Sequence, residues 1–227
     1  MKRFVLGISL VIALVNNLCA QYQPTNFLND VRFKKITDGT SSTFKAPEIQ
    51  GTPYLEDKFS PGRVMMRDSS FANDIALRYN AFSDNLEFRK GDDLYNIDPR
   101  TIVKRAEFGG RIFECLSFYE NGKINNGYFE VLTKGKAALL VRYTIKFMEK
   151  EKRKAFDDPK PDRYTEVQKF YFIAIGDAPA QKFVNKKGLL ELFGVQSQEM
   201  ETFISKNKLS IRKDDDLIKI VANYNLL

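Results

Sequence analysis

The 227 residues contain no histidine. That absence removes Ser-His-Asp and Cys-His catalysis, imidazole metal sites and histidine-based pH sensing. Cysteine is almost as scarce, with Cys19 and Cys115 only. Cys19 falls in a leader, described below, so a single thiol remains and no disulfide can form within the mature chain. Cys115 stands between Glu114 and Leu116 in an apolar run. That is the setting of a buried structural thiol, and no imidazole is at hand to lower its pKa for nucleophilic work. Tryptophan is missing as well. Neither a G-x-G-x-x-G nor a Walker pattern occurs, and Gly62 and Gly109-Gly110 make no phosphate cradle.

What is present is ordinary globular material: 43% hydrophobic and 29% charged residues, enough for one domain with a core. Nineteen Phe and ten Tyr bring the aromatic share to 13% and favour sheet. Lys2 and Arg3 precede an apolar run over residues 4–15, and Leu18-Cys19-Ala20 precedes Gln21. This is the pattern of a secretory signal peptide over residues 1–20, cut after Ala20. The run is too short to span a bilayer comfortably. A lipoprotein would need Cys19 acylated behind small residues, but Asn17 and Leu18 stand there, so no lipid anchor is expected. The expectation is an exported protein, periplasmic or extracellular, with no transmembrane segment after signal removal. Loss of Lys2 and Arg3 takes the net charge from +7 to +5. A mixed, solvated surface accounts for that balance, and the export signal argues against nucleic acid.

The stretch that best organises the chain is residues 137–149. Leu139, Val141, Tyr143, Ile145 and Phe147 alternate with Arg142, Thr144 and Lys146, the period-two pattern of a strand with one buried and one wet face. Residues 21–63 are punctuated by Pro24, Pro47, Pro53 and Pro61 and read as an extended N-terminal arm, with a short strand in 31–36. From Val64 onward, strand patterns follow one another at turn spacings. The turns are Ser83-Asp84-Asn85, Lys90-Gly91-Asp92-Asp93, Gly109-Gly110, Asn121-Gly122 and Asn126-Gly127. Residues 149–161 form a charged loop holding the basic run 150–154, which reads as solvated hairpin more readily than as an anion site because Asp157 and Asp158 offset it.

The period then changes. Asn185 is placed to cap a helix that Gly194 stops, Ser197 to cap a second, and Asp214-Asp215-Asp216 to open a third carrying Leu217, Ile218, Val221 and Tyr224. The three Asp lack the spaced ligands of a calcium loop and suit the helix dipole. The fold class is therefore α+β: an antiparallel meander or partly closed barrel of about seven to nine strands, with two or three short C-terminal helices. Residues 64–227 make a single β-rich domain, with the helices in 185–225.

Arg78-Tyr79-Asn80 with Asp84-Asn85-Leu86-Glu87-Phe88, Gly51-Thr52-Pro53-Tyr54-Leu55, and Tyr128-Phe129-Glu130-Val131-Leu132 with Gly135-Lys136 carry a resemblance. Together they resemble an uncharacterised family of exported β-rich proteins of Bacteroidota. That resemblance covers most of the mature chain and implies a cell-envelope or secreted location and a β-rich body. It implies no catalytic residue, because the group has no established activity.

The strand carboxylates Glu87, Glu114 and Glu130, with Arg78 and Arg142, are the candidate binding residues. If Leu86, Phe88, Phe113, Cys115, Phe129 and Val131 face the core, the three Glu face away from it onto a polar sheet face. Cross-strand ion pairing and a ligand surface both fit such a face. Phe118, Tyr119, Tyr171 and Phe172 suit core packing or a sugar-stacking platform. No cofactor and no metal ligand set is expected. The leading reading is a non-enzymatic binding or structural module of the cell envelope, its partner another envelope protein or a glycan. The alternatives are a carboxylate-based glycan hydrolase, which needs no histidine, and a carrier of an apolar ligand in a half-closed barrel.

Overall fold

The structure is a computed structural model that describes residues 33–35, 49–98, 100–149 and 161–227. The expected leader, most of the arm and the basic run 150–154 lie outside the described residues. In chain order the strands are β1 (Phe33–Lys35), β2 (Ser60–Met66), β3 (Phe71–Asn80), β4 (Asn85–Lys90), β5 (Asp93–Ile97), β6 (Val103–Phe108), β7 (Arg111–Glu120), β8 (Lys123–Thr133), β9 (Ala137–Thr144), β10 (Phe147–Met148), β11 (Arg163–Tyr164), β12 (Gln168–Ile175) and β13 (Gln181–Lys182). Eleven of them form one sheet in the order β1-β5-β4-β3-β2-β6-β7-β8-β9-β12-β13, and β10 pairs with β11 separately. Every strand pair is antiparallel. Helices α1 (Lys186–Leu192), α2 (Ser197–Lys206) and α3 (Asp214–Tyr224) complete the α+β fold.

The sheet curls. Ile145 N donates to Ala81 O at 3.3 Å, bringing the chain after β9 against the turn after β3. At the far end, Tyr119 N donates to Ala180 O and Ala180 N to Ser117 O, returning the approach to β13 onto β7. Three cores follow from this shape. Inside the larger curl, Val64, Leu77, Tyr79, Phe88, Phe113, Cys115, Tyr128 and Val141 pack together. Leu139 and Ile173 take the helical residues Leu189, Phe193, Met200, Leu217 and Val221. A third, smaller core between β7 and β13 holds Phe118, Phe129 and Phe172, three rings edge-on to one another with centroids 5.0–5.9 Å apart.

Strand β9 sits where the three cores meet. Leu139, Val141, Tyr143 and Ile145 are buried as the alternation requires. Leu140, on the same side of the strand as Arg142, is buried too, by the third core. The expected strand through 149 stops at Thr144 because its backbone groups find other partners. Ile145 N turns to Ala81, Lys146 N donates to Thr165 Oγ1, and Thr165 N donates to Lys146 O.

The turns at Gly109-Gly110 and Asn121-Gly122 form as expected, with positive φ at all four residues. Asn126-Gly127 does not turn; it lies inside β8. Gly127 serves another end, since a Cβ there would come within 2.9 Å of Asp84 Oδ2 and 3.1 Å of a Phe118 ring carbon. Asn185 caps α1 through a 2.8 Å bond from Gly188 N. Ser197 is the first residue of α2 and makes no cap bond, because the 3-10 turn Gly194–Gln196 runs straight into that helix.

Candidate functional site

The five sequence candidates do not share one polar face. Glu87, Glu114 and Glu130 are 3%, 7% and 8% exposed, so the expectation that they point into solvent is corrected. Each is held by a cation. Arg78 reaches Glu87 at 2.6 Å, Lys134 reaches Glu114 at 2.6 Å, and Arg111 reaches Glu130 at 2.9 Å. Register explains Glu130: it opposes Phe113 and Val141, so it lies on the inner face of the curl, where the Tyr143 hydroxyl also donates to it. Its neighbour Phe129 faces the third core instead of the first.

Glu114 lies on the opposite face of β7 from Phe113. Glu87 on β4 is four strand spacings from β7, roughly 19 Å along the sheet. None of these carboxylates lines the cavity beneath Arg78 or the trough on β2, β3 and β6. Arg78 is enclosed between the rings of Tyr54 and Phe59, at 3.3 and 4.3 Å from their centroids. Phe118 and Phe172 are core residues, and of the expected aromatic platform Tyr119 alone is exposed.

Arg142 belongs to a cluster that sequence reasoning passed over. Asp84, read as the tip of a polar turn, is buried. Its Oδ1 accepts from the Tyr79 hydroxyl at 2.8 Å and from Tyr128 N at 3.1 Å. Its Oδ2 takes Arg100 at 2.5 Å and Arg142 at 3.3 Å. Burial, and then the adjacent Asp84 carboxylate, push the Tyr79 hydroxyl well above its usual range. Burial pushes the neighbouring Cys115 thiol up to about 11. This is a structural knot around a buried carboxylate, with the partly exposed Arg100 side chain at its edge.

An accessible set of polar and apolar side chains lies on the outer face of β2, β3 and β6. Gly62 opposes Ile75 and Val64 opposes Ala72, so Arg63 on β2 faces two residues of β3, Asn73 and Asp74. That is a β-bulge, a device that re-aims side chains. Asp74 takes φ +53°, a left-handed conformation uncommon for a residue with a Cβ.

Arg63 pairs in register with Glu107, and Met65 with both Arg105 and Phe71, so these five side chains share the outer face. Arg63 Nε and Nη2 grip Glu107 at 3.0 and 3.1 Å, and Arg105 Nε reaches it at 2.5 Å. The hydrogen bond from Arg63 holds the Glu107 carboxyl below its ordinary range. Two adjoining cavities of about 240 and 380 Å³ share Arg63, Asn73 and Glu107 and form one trough. Met65 and Phe71, each 39% exposed, flank one end of it, and Pro61 and Asp74 the other. The sequence did carry a signal for the bulge. The inward apolar positions of β3 run 72, 75, 77, 79, and the three-residue step breaks the period of two.

Among the described residues no group of three or more acidic or cysteine side chains could hold a metal ion, and no helix is long and apolar enough to cross a membrane. The cavity beneath Leu55, Arg78 and Phe108 has a volume of about 10 Å³, room for one water molecule. Comparison with known proteins yields no match: no protein-family model, no curated protein and no solved structure is significantly similar to this chain.

Proposed function

We propose that the chain is an exported, non-catalytic binding module of the cell envelope that recognises its partner through the outer face of β2, β3 and β6. The observation that carries this reading is the trough at the β3 bulge. There, apolar and polar side chains meet in the open, while the buried carboxylates are spent on cations. The signal-peptide pattern of residues 1–20 supports export, and the resemblance to envelope proteins of Bacteroidota agrees with it.

The hydrolase alternative would need two carboxylates about 5–10 Å apart in one cleft. Glu87, Glu114 and Glu130 are instead separated by strands or by the sheet itself. The carrier alternative would need an apolar chamber of roughly 300 Å³ or more. Ring packing occupies the inside of the curl, and the 10 Å³ space beneath Arg78 is too small. The test is recovery of the tagged, full-length chain from its native envelope. Export with cleavage after Ala20 and co-purification of an envelope component is the expected result. Retention inside the cell, or hydrolysis of a surface polysaccharide by the purified protein, overturns the reading.

A further inference from the structure

We propose that the trough at the β3 bulge binds an uncharged oligosaccharide, its sugar ring lying on Phe71 and Met65 and its hydroxyls taken by Asn73, Asp74 and Arg63. This rests on the binding-module reading above and names the ligand class for that site. A sugar presents two chemistries at once. Adjacent hydroxyls each donate and accept, and the C–H face of the ring is apolar. Planar two-pronged groups such as carboxylate, amide and guanidinium match neighbouring hydroxyls, and an aromatic ring matches the C–H face.

The trough supplies both sets. Arg63 and Arg105 stand on Glu107, and Asp74 adds a second carboxylate, so the lining carries two positive and two negative groups and no net charge. A ligand without charge suits that balance; an anionic polymer does not, because Glu107 already holds both guanidiniums. Each guanidinium has five N–H donors and keeps some free for a hydroxyl. Among the described residues, Asn73 and Asp74 make no side-chain hydrogen bond, so the bulge delivers two unspent polar groups to the trough wall. An extended peptide is a poorer occupant. Strands β2, β3 and β6 are flanked on both sides in the sheet and offer no free backbone edge for strand addition.

The conformation of Asp74 points the same way. A glycine would adopt φ +53° without strain, yet the chain places a carboxylate there beside the larger of the two cavities.

The test is calorimetric titration of the full chain with neutral oligosaccharides of four to six hexose or N-acetylhexosamine units, beside oligogalacturonate as the anionic counterpart. Binding of a neutral oligosaccharide is expected, weakened at least tenfold by Phe71→Ala and by Asn73→Ala at unchanged melting temperature. Asp74→Gly is the sharper variant: it should keep or raise the melting temperature while weakening binding at least tenfold. The inference is overturned if no neutral oligosaccharide binds, if oligogalacturonate binds more tightly, or if all three substitutions leave affinity unchanged. If no glycan binds but an envelope protein is recovered by wild type and lost with Phe71→Ala, the module reading stands and the glycan assignment falls. Recovery of nothing, with no glycan bound, removes both.

Discussion

The guanidinium of Arg78 lies 3.3 Å from the centre of the Tyr54 ring while its Nη2 donates to Glu87 at 2.6 Å. Nη1 of the same group reaches Asp57 O at 3.2 Å, so one side chain ties the segment before β2 to the outer surface of β3 and β4. Phe59 closes the other side at 4.3 Å, and Asn80 Nδ2 supports Glu87 at 2.9 Å. The pair is nearly dry, so removing one member strands the other as an uncompensated charge. Arg78→Ala should cost about 3–5 kcal/mol in urea unfolding. Arg78→Met with Glu87→Gln should recover much of that loss, since neither charge is then left alone. Tyr54→Ala removes one cation–π face and should cost roughly 1–2 kcal/mol. A double variant no more stable than Arg78→Ala would contradict the ion-pair account.

Asp84 makes a parallel case with a different partner list. Its four interactions come from β3, β8, β9 and the turn Arg100–Ile102, so it pins four parts of the chain at one carboxylate. Asp84→Ala should cost about 3 kcal/mol or more, because it leaves the Tyr79 hydroxyl and Tyr128 N buried without their acceptor and takes a partner from Arg100 and Arg142. Gly127→Ala should fail for a linked reason: its new methyl group would meet Asp84 Oδ2 at 2.9 Å. The two losses should not add, because both disrupt one cluster. Melting temperatures of the single and double variants check this directly.

Alternation along β9 and the Gly109-Gly110 and Asn121-Gly122 turns were legible because they depend on neighbours a few positions apart. Asn126-Gly127 was misread because its glycine answers to Asp84, 43 positions earlier in sequence, and not to its own turn propensity. Glu87, Glu114 and Glu130 were placed on a wet face because alternation assumes one buried side. Glu87 instead pairs with Arg78, itself enclosed by the Tyr54 and Phe59 rings, and Glu130 lies on the inner face, opposite Phe113 and Val141; the Ala180 contacts with β7 show that the curl also covers the second side of β7, β8 and β9. Strand β5 carries no legible strand pattern, since Asp93 and Asn96 break it. The trough was the least legible feature. Its residues come from three strands, and one broken step at Ala72 to Ile75 was the only local trace.

Asp214 clamps α3 to β12. Both Lys169 Nζ and the Tyr171 hydroxyl donate to its carboxylate. Partial burial alone would raise the carboxyl, but the hydrogen bonds from Lys169 and then Tyr171 outweigh it, and the group is held below its ordinary 3.8. The sign follows: the contribution is present above the unfolded value and is lost as pH falls through the folded one, below about pH 4. Asp214→Asn should therefore flatten the stability loss between roughly pH 5 and pH 3. At neutral pH it should cost less than about 1 kcal/mol, because the carboxylate is well exposed and water screens the Lys169 pair. Amide exchange in α3, compared between wild type and variant across that window, reads the clamp itself.

The alkaline limb should be steeper, and its origin is different. Burial pushes Cys115 up to about 11 from an ordinary 9.0, and also lifts Tyr79 and Tyr128 well above their usual 10.0. Asp84 adds to the rise at all three, while Arg100 works against it. Each group keeps its proton in the folded protein after the unfolded chain has lost it. Stability is thus intact below about pH 9 and falls as pH climbs through the folded values. Unfolding free energy measured in urea from pH 7 to pH 11 should turn downward near pH 9, first through Cys115 and then, about a unit higher, through the tyrosines. Cys115→Val removes the first step and leaves the second, so its curve should stay flat to about pH 10. The same burial predicts that the thiol resists alkylation in the native state and reacts at once on unfolding. A Cys115→Val curve that bends at the same pH as wild type, or a thiol modified at native rates typical of exposed cysteine, would place the alkaline weakness elsewhere than in this core.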